Sequence, residues 1–161
     1  MNIDLDKDQL KQLVEKLSWN DGFGCYTRAG FEKMVWPVIF DRARWIIYFD
    51  IDGMHELNES FGGYEAVDAM VKRVLESVRA SDFVAGQWKS GDEFLVCLTE
   101  SDGRGEIDPQ GLVSRLIRAL KQHGMSATFA VVPVKAIDLA ANVLPAVSEV
   151  YAAKKMKGDS R

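Results

Sequence analysis

The chain has 161 residues, 47% hydrophobic and 27% charged, which is long enough for one domain with a real core and ordinary for a soluble globular protein. Its net charge is −4, and non-specific nucleic-acid binding needs a basic surface, so DNA and RNA are not expected as main partners. Cys25 and Cys97 are the only cysteines and neither joins a close Cys/His cluster, which argues against a zinc site and a disulfide framework and fits a reduced, cytoplasmic setting. The acidic start, Met1 to Asp6, lacks the apolar core of a signal peptide. No apolar run approaches the roughly 20 residues that span a bilayer, so no membrane partner is expected unless a longer chain carries an anchor.

Leu10, Leu13, Val14 and Leu17 recur at helical spacing and predict an amphipathic helix over 6–17. Ser18 to Tyr26 reads as loop. Thr27 is a suitable N-cap for a second helix to about Val35, and Pro37 argues against much more. Residues 44–51 are β-branched and aromatic and predict a strand, followed by a short helix over 53–60. Val67, Met70, Val71, Val74, Leu75 and Val78 form a helical stripe over 63–80. Residues 83–89 and 93–99 read as a hairpin closed through Ser90-Gly91. After a polar loop, Ser101 to Glu106, Asp108-Pro109 opens a helix that buries Leu112, Val113, Leu116, Ile117 and Leu120 and ends at Gly124. Residues 125–134 read as a strand. Asp138 caps a last helix to about Lys155, in which Pro145 should force a kink or a restart. This order predicts an α+β domain, with helices packed over a mostly antiparallel sheet. Residues 1–20 are expected to be an N-terminal helix and linker, and 21–161 the domain proper.

The most informative residues lie at two strand ends. The strand ending in Phe49 runs into Asp50-Ile51-Asp52, and Asp92-Glu93 opens the run Phe94 to Leu98. If these strands are neighbours, Asp50 and Asp92 meet at one end of the sheet. Converging carboxylates make a hard oxygen site, and magnesium prefers one or two carboxylates with phosphate oxygens and waters. The first expectation is therefore a magnesium–nucleotide site.

At this point the chain resembles the GGDEF family, the diguanylate cyclases, over about residues 21–154. Asp21, Gly24, Arg28 and Phe31 fit the family's opening D-x-L-T-G-L-x-N-R-R-x-F. Asp50-Ile51-Asp52 with Asn58 fits D-I-D-x-F-K-x-x-N, and Phe61-Gly62 continues it. Ser90-Gly91-Asp92-Glu93-Phe94 fits the name motif with its first glycine replaced, and Val150 to Lys154 fits the closing L-Y-x-A-K.

The resemblance implies a palm-like sheet of the nucleotide-cyclase and ferredoxin-like kind. It also implies condensation of two GTP to cyclic di-GMP on two facing domains, hence a transient homodimer, with Mg²⁺ or Mn²⁺ as cofactor. A sensor or effector domain is an implied partner. It further implies that Asp50, Asp92 and the Ile51 carbonyl hold metal and that Glu93 supports the metal–triphosphate end. Gly53, Met54 and Gly91 would line the substrate, Asn58 would bond guanine, and Lys154 would neutralise the triphosphate. Arg79 and Asp82 match the R-x-x-D of the family's inhibitory product site.

Several positions depart from the family. Val67 aligns with the Asp that reads guanine, and Asp68 could replace it only with a shift that spoils the helical stripe. His55 stands at the phosphate lysine and Gly158 at a late arginine, with Lys157 nearby. Ser90 replaces a glycine, a mild change in a turn. These losses leave two other readings open: a catalytically degenerate domain that binds nucleotide and regulates a partner, and a cyclase with altered base choice.

Each residue also has a plainer reading. Asp50 and Asp92 could be solvated strand ends, Asp52 a turn residue, Asn58 a helix-terminal polar group and His55 an exposed helix residue. Arg79 and Asp82 could mark a helix end, and Lys154 a basic tail with Lys155 and Lys157. Cys25, Cys97 and Trp88 read as packing.

Overall fold

The computed structural model describes residues 6–79, 81–100 and 105–158. Ala80, and Ser101 to Arg104 of the expected polar loop, lie outside them. The described elements are α1 (Lys7–Leu17), β1 (Trp19–Asn20), β2 (Cys25–Thr27), α2 (Arg28–Gly30), α3 (Trp36–Ile39), β3 (Ala43–Ile51) and α4 (Met54–Ser60). They continue as α5 (Tyr64–Leu75), β4 (Phe83–Gly86), β5 (Glu93–Thr99), α6 (Pro109–Gln122), β6 (Ala127–Pro133) and α7 (Leu139–Met156).

The six strands form one sheet in the order β1-β2-β4-β5-β3-β6. Its pairs are antiparallel except β2 with β4, so the fold is α+β with a mostly antiparallel, mixed sheet. β3 is the centre, paired with β5 on one side and β6 on the other. Alternate residues of a strand point to opposite faces. Ile47, Phe49 and Ile51 join a core with Val67, Val71 and Val74 of α5 and Leu112, Leu116 and Leu120 of α6. Ile46 and Tyr48 join a second core with Phe31, Trp36, Ile39 and, from α7, Val143, Ala146, Val147 and Val150. Both faces are apolar because helices cover both.

The helix starts use the predicted capping chemistry. Thr27 accepts a hydrogen bond from the Gly30 amide at 3.0 Å, and Asp108 from that of Gly111 at 3.0 Å. Asp138 accepts from the Ala140 amide at 3.3 Å. α1 forms, but its stripe of Leu10, Leu13, Val14 and Leu17 remains exposed.

Several expectations need correction, among them the burial of Ile117, which is exposed on α6. The stretch 18–26 is not all loop, because β1 and β2 pair through Trp19 with Tyr26 and Asn20 with Cys25. Two or three residues are too few to leave a periodic signal. The second helix does not stop near Val35; it passes through a π-helical turn, Phe31–Val35, into α3. There the Trp36 amide donates to the Phe31 carbonyl, five residues back. The wide turn resets the helix, so Pro37 falls in a first turn, where its missing N–H costs little. The first strand of the hairpin is shorter than expected: β4 ends at Gly86, Gln87 takes a left-handed φ of 53°, and the turn runs from there to Asp92. Finally, α7 runs without a restart through Pro145, which sits on its exposed face.

Val67 is fully buried in the core beneath α5. Its place there predicts that Val67→Asp buries an unpaired carboxyl and costs about 3–5 kcal/mol. Urea denaturation should report that loss, and nucleotide titration of the same variant should show no gain in guanine preference.

Candidate metal and nucleotide site

β3 and β5 are antiparallel neighbours, with Asp50 opposite Glu93 in the register. The end of one strand and the start of the other therefore bring their acidic residues to a single sheet edge. Asp50, Asp92 and Glu93 each offer a carboxylate oxygen within 4.8 Å of the others. Asp50 and Glu93 are fully buried and Asp92 is half-buried. Such an oxygen-only donor set suits magnesium or manganese.

Glu93 is held from two sides. The Tyr48 hydroxyl donates to its Oε1 at 2.7 Å, and Ser90 Oγ lies 2.6 Å from its Oε2. Ser90 Oγ is also 2.6 Å from Asp92 Oδ1. Burial first, then the contact with Glu93, pushes the Tyr48 phenol well above its ordinary pKa, so it stays a donor. Strand alternation could have found Tyr48, since it lies two residues before Asp50 on the same face. The turn carrying Ser90 is pinned at Trp88. The Trp88 amide donates to the Glu93 carbonyl at 3.0 Å, and Arg28 Nη1 donates to the Trp88 carbonyl at 3.0 Å. The Arg28 guanidinium also covers the indole at 4.9 Å. Trp88 itself is buried against Phe31.

Lys154 is not in an open phosphate cleft. It is buried, with Nζ 3.1 Å from Asp50 Oδ1, 2.9 Å from Asp52 Oδ1 and 3.5 Å from the Ile51 carbonyl. Two of the groups expected on metal, Asp50 and the Ile51 carbonyl, thus face an ammonium group. Asp52 also accepts from Ser126 at 2.9 Å and Thr128 at 3.0 Å, and Lys157 Nζ donates to Thr128 Oγ1 at 2.7 Å. Burial pushes the Asp52 carboxyl up, but the hydrogen bonds from Lys154, Ser126 and Thr128 outweigh it and leave it below its ordinary value. Burial lowers Lys154, and its bonds to Asp52 and Asp50 overturn that, leaving it raised.

A pocket of about 400 Å³ opens beside the carboxylates, within the size range of small-molecule sites. Asn58, Asp68, Tyr64, Met54, His55, Gln87, Gly91 and Asp92 line it. Asp92 thus belongs to both the carboxylate cluster and the pocket wall. Asn58 Oδ1 is buried without a hydrogen-bond partner in the protein. Partial burial raises the Asp68 carboxyl above its ordinary pKa. Asp68 reaches the pocket while Val67 stays in the core, so the helical stripe and a pocket carboxylate coexist. Gly62 and Gly63, at φ of 80° and 139°, form the turn before α5.

Gly53 caps α4 at a φ of 62°, a conformation that glycine adopts without strain. A side chain at Gly91 would meet only Gln87 Nε2, at 3.9 Å. His55 is 80% exposed, with Nε2 3.2 Å from Glu59 Oε1. Arg79 and Asp82 border a separate cleft, but Asp82 is buried and accepts from the Thr99 amide at 3.2 Å. Cys25 and Cys97 are buried, and burial pushes both thiols up to about 12, which suits packing. Among the described residues no helix is long and apolar enough to cross a membrane.

Removing the Lys154 charge should take its 3.1 Å counter-charge from the buried Asp50. Lys154→Met is expected to cost about 3 kcal/mol at neutral pH in urea denaturation. The low Asp52 pKa adds stability above the ordinary carboxylate value and loses it as pH falls through the folded value. The raised Lys154 pKa adds stability below 10.5 and loses it at higher pH. The gap between wild type and variant should therefore be widest between these limits and narrow below about pH 4.

No family model matches the chain, and no curated protein matches it. Solved structures do. A microbial GGDEF domain, studied for a novel interaction mode with cyclic di-GMP, superposes with a TM-score of 0.70 at 19% identity, covering 87% of this chain and 94% of that one. A sensory box/GGDEF family protein from Caulobacter crescentus gives 0.67 at 25% identity, over 86% and 99% of the two chains. The GGDEF domain of TpbB (YfiN) from Pseudomonas aeruginosa gives 0.67 at 23% identity, over 86% and 89%. With its palm-like sheet and its Asp50 and Ser90–Phe94 motifs brought to one edge of it, the chain folds as a GGDEF domain.

Proposed function

We propose that this domain is a divalent-cation-dependent nucleotidyltransferase that condenses two GTP into one cyclic di-GMP and two pyrophosphates across two facing copies. One observation carries the reading: three carboxylates converge within 4.8 Å and share Asp92 with a pocket of nucleobase size. Mg²⁺ or Mn²⁺, when bound, supplies a Lewis acid that stabilises charge on the phosphates and helps ionise the attacking 3′-hydroxyl. Asp50, Asp92 and Glu93 would hold it, with Tyr48 and Ser90 fixing the Glu93 carboxylate. Gly53 and Met54 open α4 beside Asp50, where backbone N–H groups can meet phosphate. Gly91 leaves room for a nucleotide to approach the turn.

The Asp68 carboxylate offers an acceptor in the pocket, which Asn58 also lines. Guanine offers two donors on that edge, N1–H and the N2 amino group, whereas adenine offers an acceptor at N1. Asp68 therefore favours GTP and removes the reason for an altered base choice. α1 serves as the linker to a sensor or effector domain, and residues 21–161 act as the catalytic unit. A cytoplasmic setting, where thiols stay reduced, suits this reading.

A second reading is favoured by the phosphate end. His55 contacts Glu59, Lys154 is buried against Asp50, and glycine occupies position 158. A domain with so few open cations would bind nucleotide and regulate a partner without turnover. Calorimetry separates the two: tight GTP binding with no product marks the regulator.

Purified protein with GTP and Mg²⁺ or Mn²⁺ should release pyrophosphate and cyclic di-GMP. Turnover per chain should rise with protein concentration as facing pairs form. Asp92→Ala should abolish it while leaving the fold intact by circular dichroism. Absence of product at high protein concentration would refute the enzyme reading.

Asp68→Ala should weaken GTP binding about 10- to 150-fold, the loss of a charge-assisted contact of roughly 1.5–3 kcal/mol, and leave ATP little changed. The ionised carboxylate is the acceptor, and its pKa is raised. The wild-type preference for GTP over ATP should therefore fade as pH falls through that raised value, at higher pH than for an ordinary carboxylate. Paired GTP and ATP titrations across pH cancel the titration of the phosphates themselves.

A further inference from the structure

We propose that Ser90 is a positioning residue for divalent-cation binding, with a hydroxyl that holds the Asp92 and Glu93 carboxylates in their converged arrangement. The inference rests on the metal-dependent reading above. Ser90 Oγ lies 2.6 Å from Asp92 Oδ1 and 2.6 Å from Glu93 Oε2, the length of strong hydroxyl–carboxylate hydrogen bonds. A hydroxyl has one proton, so it serves the two carboxylates in turn and restrains both. The position of the hydroxyl is itself fixed. The Glu93 amide donates to the Ser90 carbonyl at 3.3 Å, and Arg28 and the buried Trp88 pin the start of the same turn.

Without donors, three carboxylates this close repel one another and splay. Tyr48 restrains one oxygen of Glu93, and Ser90 restrains the other together with Asp92. An arriving cation then meets ligands that are already oriented. A glycine at position 90 offers no side-chain donor, so the serine is an added support rather than a passive replacement. Groups that orient metal ligands in this way are worth about 10- to 100-fold in metal affinity.

The test is Mn²⁺ binding to the nucleotide-free full chain, monitored by electron paramagnetic resonance of the unbound ion. Ser90→Ala and Ser90→Gly should each weaken Mn²⁺ binding about tenfold or more. Ser90→Thr, which keeps the hydroxyl, should stay near wild type. The rise in melting temperature on adding Mn²⁺ should shrink in the Ala and Gly variants. Their turnover should recover at saturating Mn²⁺, which a damaged fold would not allow. Ala and Gly variants that bind Mn²⁺ as tightly as wild type would overturn the role of Ser90 and leave the metal reading standing. A Thr variant as weak as the Ala variant would assign the loss to the turn and also overturn it. A wild-type chain that binds no Mn²⁺ would overturn the metal reading, and Ser90's role with it.

Discussion

The fold depends on how it accommodates the fully buried carboxylate of Asp50 at the end of the central strand. An ionised carboxylate away from water costs several kcal/mol unless a counter-charge and hydrogen bonds offset it. Lys154, arriving from α7, supplies the counter-charge at 3.1 Å. That contact requires α7 to lie in one register on the sheet. Val143, Ala146, Val147 and Val150 set it by burial beside Ile46 and Tyr48. Asn142 anchors the start of the helix: its Oδ1 accepts from the Lys135 and Ala136 amides, and its Nδ2 donates to the Ala136 and Asp138 carbonyls. Packing along the length of the helix thus aims one ammonium group at one carboxylate.

Strand alternation then divides the site between the two sheet faces. Tyr48 and Asp50 lie on the α7 side, and Glu93 reaches that side through its bond to Tyr48. Ile47, Phe49 and Ile51 pack on the α5 side, where Val67 closes the core. One residue beyond Val67, Asp68 leaves the core for the pocket that holds Asn58. Asp92 joins the two regions because it sits in the turn before β5, where alternation no longer confines it to a face. The pocket and the acidic cluster, on opposite faces, can therefore meet only at the strand ends.

Residue chemistry made much of this legible. Thr27, Asp108 and Asp138 announced their helices because capping is local, and the convergence of the Asp50 and Asp92 segments was readable from two apolar runs bounded by acids. The features that stayed hidden depended on contacts distant in sequence or on irregular backbone. β1 and β2 are held by pairing and by the edge-to-face contact of Trp19 with Tyr26, not by any periodicity of their own. The π-helical turn that spares Pro37 leaves no pattern in composition. The family resemblance puts Val67 at the pocket, whereas the helical stripe keeps Val67 in the core and leaves Asp68 to line the pocket. Lys154 reads as part of a basic tail because nothing local distinguishes it from Lys155 and Lys157. Only the docking of α7 buries it.

The pairing of Asp50 with Lys154 also explains the second acid of the Asp50-Ile51-Asp52 run. A cation drawn to the Asp50–Asp92–Glu93 cluster must share Asp50 with the lysine. Lys154 can yield Asp50 because it has a second acceptor, Asp52, at 2.9 Å. Ser126 and Thr128 hold Asp52 in place, and Lys157 bonds Thr128. Without Asp52, a cation and Lys154 would compete for a single buried carboxylate, and occupation of the cluster would expel a lysine that the fold has buried.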